Sequence, residues 1–345
     1  MPDATSVVGQ QPRDAAARRP VVLLAALVAL GATVLASLTF GSHRLGIGET
    51  WHLLLSPDGS TASDVLHGLR LPRTVVAGVV GAALALAGSV LQTLTRNPLA
   101  DPGILGINAG ASLAVVLAVA ISGVSGIGFY LWFALLGAAI AATAVLVLSG
   151  SRTGVHNPAR IALAGVAVSA ALAALTQTVI LADQEAFNEF RFWVTGSLEG
   201  RGWHELAVTA PLFVLGTVAA LAMAPALNAL ALGDDTARGL GVDVARVRTG
   251  GLIAAVLLAG GATAAVGPIG FVGLAVPLLA RALVGHDQRW IAAVSLVLGA
   301  AWLLAADTLA RVILVPSEVQ VGVIAALAGA PVFIAIVRRR KVPSL

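Results

Sequence analysis

The chain has 345 residues, 58% of them hydrophobic and 11% charged, with a formal net charge of +4. Soluble domains carry about 25% charged residues, so this composition excludes an ordinary soluble protein and describes a polytopic membrane protein. There is no cysteine, which excludes disulfides and thiolate chemistry. The single lysine, Lys341, lies outside any Gly-Lys-Ser/Thr phosphate loop, so nucleotide-driven work would need an ATPase on another chain.

Residues 1–20 are polar, end in Arg18-Arg19-Pro20 and read as a disordered cytoplasmic N-terminal tail. A transmembrane domain is expected over 21–337, followed by a basic cytoplasmic tail over 338–345. Spanning helices need about 20 mostly apolar residues. The candidate runs are 21–40, 74–94, 103–122, 129–148, 159–181, 206–226, 250–266, 271–285, 291–312 and 319–337. The first has no clear cleavage site after it and reads as a retained span. With ten spans and the N-terminus inside, fifteen Lys/Arg fall on the cytoplasmic side and six outside. This positive-inside bias supports ten spans with both termini in the cytoplasm.

Four polar features interrupt the apolar pattern. Arg70 and Arg73 flank Pro72 at the outer entrance of the second span, and Pro suits a first helical turn. They present two cations at one surface, or snorkel to lipid headgroups. The segment from Arg96 to Gly106 holds Asn97-Pro98 and Asp101-Pro102, which predict a stiff turn with Asp101 as an N-cap. The loop over 226–248 reads as two short helices split at Gly233, with Asp234 and Asp235 at the second N-terminus and Gly241 as its stop. Its leucines predict docking, either on a partner or on the chain's own spans. Asp307 and Arg311 are four apart in the ninth run and can pair along one helical face. The cluster Gly267-Pro268-Ile269-Gly270 predicts a tight outer turn. Six histidines stand singly, without a His-x-x-x-His zinc pair.

Four blocks carry a family resemblance: LRLPRTVVAGVVGAALALAGSVLQTLTRNPLADPGILGINAGA, LALGDDTARGLGV, GPIGFVGLAVPLLARALVG, and LLAADTLAR followed by GVIAALAGAPVFIAIVRRR. In this order they resemble the FecCD-type permeases of bacterial ABC importers for ferric siderophores, haem and cobalamin, over roughly residues 60–340. The resemblance implies an all-α permease of about ten spans, in the type II importer architecture, in a bacterial cytoplasmic membrane. It implies a dimer with a second or homologous permease, two ATP-binding subunits holding ATP and Mg, and an extracytoplasmic substrate-binding protein. It implies no nucleic acid partner, no metal or cofactor on this chain and no catalysis by it.

The same resemblance assigns residues. Arg70, Arg73 and Arg311 would receive acidic residues of the binding protein. Leu232, Gly233, Asp234, Asp235, Ala237, Arg238 and Leu240 would dock the ATPase, with Ala237 and Leu240 as apolar contacts. Asn97 and Leu99, with Asn157 and Pro158 before the fifth span, would form the cytoplasmic gate. That second loop reads His156-Asn157-Pro158-Ala159-Arg160, where the cobalamin permease has small hydroxyl residues. The second and fifth spans would line the route. The alternatives are an ion-gradient-driven secondary transporter, which favours acidic residues deep in spans, and an intramembrane enzyme, for which no His-Glu-x-x-His exists.

Overall fold

The computed structural model describes residues 11–41, 45–124, 127–150, 158–315 and 317–339, and among them every regular element is a helix. Helix α1 (Gln11–Thr39) is followed by the short α2 (Ile47–Leu55) and α3 (Thr61–Asp64). A π-helical stretch, Val65–Arg70, runs on from α3 into α4 (Leu71–Thr95). A 3-10 turn, Pro102–Leu105, leads to α5 (Ile107–Ser122) and α6 (Ile127–Leu148). Then come α7 (Pro158–Ala182), α8 (Gln184–Trp193), α9 (Trp203–Ala231) and α10 (Asp234–Gly239). The chain ends in α11 (Val244–Val266), α12 (Val272–Val284), α13 (Gln288–Ile313) and α14 (Val321–Arg339).

Seven helical stretches are long and apolar enough to cross a membrane, and α5, α12 and α14 are shorter apolar helices. All ten coincide with the ten predicted runs. Carboxylates set several starts: Asp183, Asp243 and Asp287 cap α8, α11 and α13 by accepting N–H bonds from Ala186, Arg246 and Arg289.

Helix α12 has 13 residues. At 1.5 Å per residue it reaches about 20 Å, short of a hydrocarbon core of about 30 Å. An irregular segment, 267–270, precedes it. Irregular backbone at that depth must be covered by protein. Here Ser197 N–H donates to the Val266 carbonyl at 2.9 Å and Gly322 N–H to the Gly196 carbonyl at 3.3 Å. Gly196 turns with φ +67°, and a Cβ there would lie 2.5 Å from the Pro268 carbonyl.

Helix α4 is the centre. It packs on α13, α11, α12, α9 and α1, and every residue from Ala83 to Thr95 is buried. Close approach in an apolar medium relies on small residues. A Cβ on Gly81 would overlap the Gly299 carbonyl, and one on Gly299 would overlap Gly81. Gly110 and Gly137 repeat the pattern at α5–α6, and at α4–α12 a Cβ on Gly88 would overlap the Gly273 carbonyl.

One difference from the sequence expectation lies at the N-terminus. Among the described residues α1 already runs from Gln11, so positions 11–20 extend the helix rather than forming a disordered tail. Arg19 anchors this extension, donating to the Val284 carbonyl at 3.2 Å and pairing with Asp287 at 3.5 Å. Ala and Arg are also strong helix formers.

The α4–α13 crossing should tolerate no side chain. Overpacking costs about 1–3 kcal/mol, so Gly81→Leu and Gly299→Leu should lower membrane yield and the unfolding midpoint in detergent. Gly31→Ala, beside open space, should leave both unchanged. A wild-type midpoint for Gly299→Leu would contradict this crossing.

Candidate functional site

The charged side chains gather at two opposite ends of the bundle. At one end, Arg73 donates from Nε and NH2 to Asp307 Oδ1 at 3.0 and 2.7 Å, and its NH2 also meets Glu318 Oε2 at 2.8 Å. Arg311 Nε pairs with Asp307 Oδ2 at 3.1 Å. The Asp307 side chain is 0% exposed and is shared by both guanidinium groups. The predicted i, i+4 pair is therefore present. Its second cation, from α4, and the capping Glu318 were missed, because no local spacing signals a contact across 234 positions.

Arg70 and Arg311 also have a backbone task. The last carbonyls of a helix lack intrahelical donors. Arg70 NH1 donates to the Leu38 and Thr39 carbonyls at 2.7 and 3.0 Å, and Arg311 NH1 to those of Ser37 and Phe40, both at 3.1 Å. Two cations thus satisfy the C-terminal end of α1, where the helix dipole also favours positive charge. Arg311 NH2 reaches Ser37 Oγ at 2.9 Å, and that hydroxyl shares a 2.7 Å hydrogen bond with Thr74.

The structure brings Arg70, Arg73 and Arg311 together, but not as an exposed cationic rim. Arg70 and Arg311 are buried, and Arg73 is largely covered and ion-paired. A small cavity of about 100 Å³, lined by Arg70, Arg73, Arg311 and Glu318, opens over them. Arg201, in the α8–α9 connection, is likewise buried. Burial pulls its guanidinium below the ordinary value, against Tyr130 and Glu205, which favour the charge.

At the other end, the loop over 226–248 differs from its predicted form. Helix α9 continues through Pro225 to Ala231, because Leu227 and Leu230 are fully buried against the bundle. Only Asp234–Gly239 stands as a separate short helix. It closes as expected at Gly241, φ +80°, with Val242 N–H donating to the Ala237 carbonyl and Gly241 N–H to that of Arg238, both at 2.9 Å. Ala237 is fully buried in the chain itself, which corrects its expected role as a partner contact. Leu232 and Leu240 are 67% and 63% exposed. Arg238 pairs with Asp235 at 2.9 Å on the open surface. Asp234 accepts from Arg96 and Arg248, neither of which was foreseen.

The turn after α4 is built around Asn97. Its Oδ1 accepts Leu99 N–H at 2.9 Å and its carbonyl accepts Ala100 N–H at 3.1 Å. Leu99 is left 47% exposed. Asp101 caps the next turn, accepting Gly103 N–H at 2.8 Å. Burial pushes its carboxyl above the usual range, opposed by that hydrogen bond. Asn157 lies outside the described residues, and Pro158 opens α7. Helix α7 shows exposed apolar side chains along its length, including Leu163, Val166, Leu175 and Leu181. Helix α4 does not. Its half-buried residues Val75, Gly78, Val79 and Ala82 lie in the first half, and every residue from Ala83 to Thr95 is buried.

Removing one partner from a buried ion cluster leaves an uncompensated charge. Asp307→Ala should therefore cost about 3–5 kcal/mol, read as a shift of the unfolding curve in detergent. A loss below about 1 kcal/mol, the scale of a solvated surface pair, would show that the cluster is wet.

Residues 27–339 match the FecCD transport family, which extends the resemblance back into α1. The ferric enterobactin transport system permease protein FepD of Escherichia coli K12 is 44% identical over 304 residues, covering 88% of this chain and 91% of that protein. The Fe(3+) dicitrate transport system permease protein FecC of the same organism is 41% identical over 297 residues, covering 86% and 89%. A solved structure, of a transporter assigned to the metal-chelate ABC type in an inward-facing conformation, superposes with a TM-score of 0.82 at 28% identity, covering 93% of this chain and all of that one. The architecture is that of an ABC importer permease. By the match of most of its length and by these relatives, the chain belongs to the FecCD transport family.

Proposed function

We propose that this chain is the transmembrane permease subunit of an ATP-driven importer. It carries a ferric siderophore, or a related iron, haem or cobalamin chelate, across a bacterial cytoplasmic membrane. The relatives' names speak for iron(III) chelates of different chemistry, so the binding protein is the better candidate for choosing among them. The chain works with a second or homologous permease, two ATP-binding subunits and an extracytoplasmic binding protein. ATP and Mg belong to the ATPase, since the single lysine rules out a phosphate loop here. The Arg311 end faces outward, and the Asp234 end and both termini face the cytoplasm, as the arginine distribution favours.

The observation that carries this reading is α10. A short charged helix at one end of the bundle is anchored through buried Ala237 and leaves Leu232 and Leu240 outward. Such leucines suit a groove on a partner. The secondary-transporter reading draws on Asp307, but that carboxylate is locked between two arginines.

Leu240→Asp tests the docking. Loss of one buried anchor should weaken ATPase association by on the order of tenfold, corresponding to about 1.4 kcal/mol, or separate hydrolysis from uptake. A mutant complex that assembles and transports normally would show that α10 serves only its own chain.

The rim supports a narrower docking proposal than three free cations. Arg73 is the member with an accessible side, and Glu318 occupies it. Arg70 and Arg311 are buried and committed to the end of α1. An acidic side chain of the binding protein would replace Glu318 on Arg73. Glu318→Gln should therefore strengthen capture of the loaded binding protein severalfold at low salt, with ATPase association unchanged. Unchanged or weaker capture would remove Arg73 from the docking surface.

A further inference from the structure

We propose that Arg96 is a positioning residue for transport: it carries displacement of α10 into the turn that holds Asn97 and Leu99. The inference rests on the importer reading above and adds a residue and a route to it. It starts from a backbone anomaly. Arg96 has φ +49° and is, with Phe271, one of two non-glycine residues in the left-handed region among the described residues. The geometry closes α4: Asn97 N–H donates to the Gln92 carbonyl at 3.1 Å and Arg96 N–H to that of Thr93 at 3.2 Å. Glycine is the ordinary occupant of such a cap, since it lacks the Cβ that the left-handed region penalises. A strained residue persists where its surroundings hold it.

The side chain supplies the hold. Arg96 NH2 donates to the Leu230 carbonyl at 3.0 Å and to Asp234 Oδ1 at 2.5 Å. The first acceptor is on the last turn of α9 and the second opens α10, so one guanidinium bridges both sides of Gly233. The same Oδ1 takes Arg248 NH2 of α11 at 2.9 Å. Asp234 is thus the point where α4, α10 and α11 meet.

The parts on either side suit transmission. Helix α10 has six residues between Gly233, φ +115°, and Gly241, φ +80°. It can shift as a short unit hinged at both ends. The turn beyond Arg96 is tied into one piece by the Asn97 hydrogen bonds to Leu99 and Ala100. A pull on the guanidinium acts on a residue directly bonded to that piece. A push on exposed Leu240 therefore has a continuous path through Asp234 and Arg96 to Leu99.

The competing account is that Arg96 only closes a helix. Arg96→Gly separates the two, because glycine relaxes the positive φ while removing the guanidinium. The complex would be purified whole, with Leu99→Cys placed in the otherwise cysteine-free chain. Maleimide labelling of that cysteine is then timed with and without ATP. With Arg96 intact, ATP should change the labelling rate severalfold. With Arg96→Gly, the complex should assemble and hydrolyse ATP at a similar rate, and labelling should no longer respond to ATP. Arg96→Lys, which keeps the charge but loses the planar fork, should respond in part. A full ATP response in Arg96→Gly overturns the proposal. So does failure of Arg96→Gly to assemble, which would make Arg96 a structural brace, and so does an absent response with Arg96 intact. An unaltered chain that purifies without any ATPase removes the importer reading itself, an outcome distinct from the other three.

Discussion

The close approach of α4 to its neighbours is the constraint on which the other features rest. In lipid no hydrophobic effect draws one apolar helix to another, and contact depends on packing and internal polar bonds. Helix α4 meets α13 at Gly81 and Gly299, and α12 at Gly88 and Gly273, where backbones touch without side chains between them. The same contacts leave no room for charge in the middle. Between Thr74 and Arg96 the polar side chains of α4 are hydroxyls and one amide, the last-turn Thr93 donating to Gln288 Oε1 at 3.0 Å. Ionised groups are displaced to the two ends of the rod.

At those ends, charge is placed by backbone need as much as by function. Arg70 and Arg311 lie where α1 runs out of hydrogen-bond donors for its carbonyls. Asp307, buried between Arg73 and Arg311, then balances charge that the helix end requires. A docking surface built on these arginines uses the remainder. Glu318, on the connection between α13 and α14, covers the one guanidinium face still within reach.

Much of this was legible in the sequence, and the boundary is physical. Ten apolar runs appear as ten apolar helices, since hydropathy over about twenty residues is a local property. The Asp307–Arg311 pair was legible because four residues make one helical turn. Arg73 with Asp307, and Arg96 with Asp234, were not, because they join residues more than a hundred positions apart through packing. The end of α9 was misplaced for a similar reason. The apolar run reads as ending at 226, whereas burial of Leu227 and Leu230 carries the helix on to Ala231. Ala237 was assigned to the wrong side of α10, since a six-residue helix is too short for periodicity to show which face is covered.

Arg73, in the first turn of α4, and Arg96, its C-cap, are 23 positions apart. At 1.5 Å per residue that is about 35 Å, close to the full thickness of a membrane core. One belongs to the Asp307–Glu318 cluster and the other to the Asp234 cluster, and the segment between them is packed on several sides. A rod so tightly held bends little, so a shift at either cluster is felt at the other as translation or tilt of α4. The two charged ends are separate sites chemically. Mechanically they share one element, since Arg73 lies in the first turn of α4 and Arg96 caps its last.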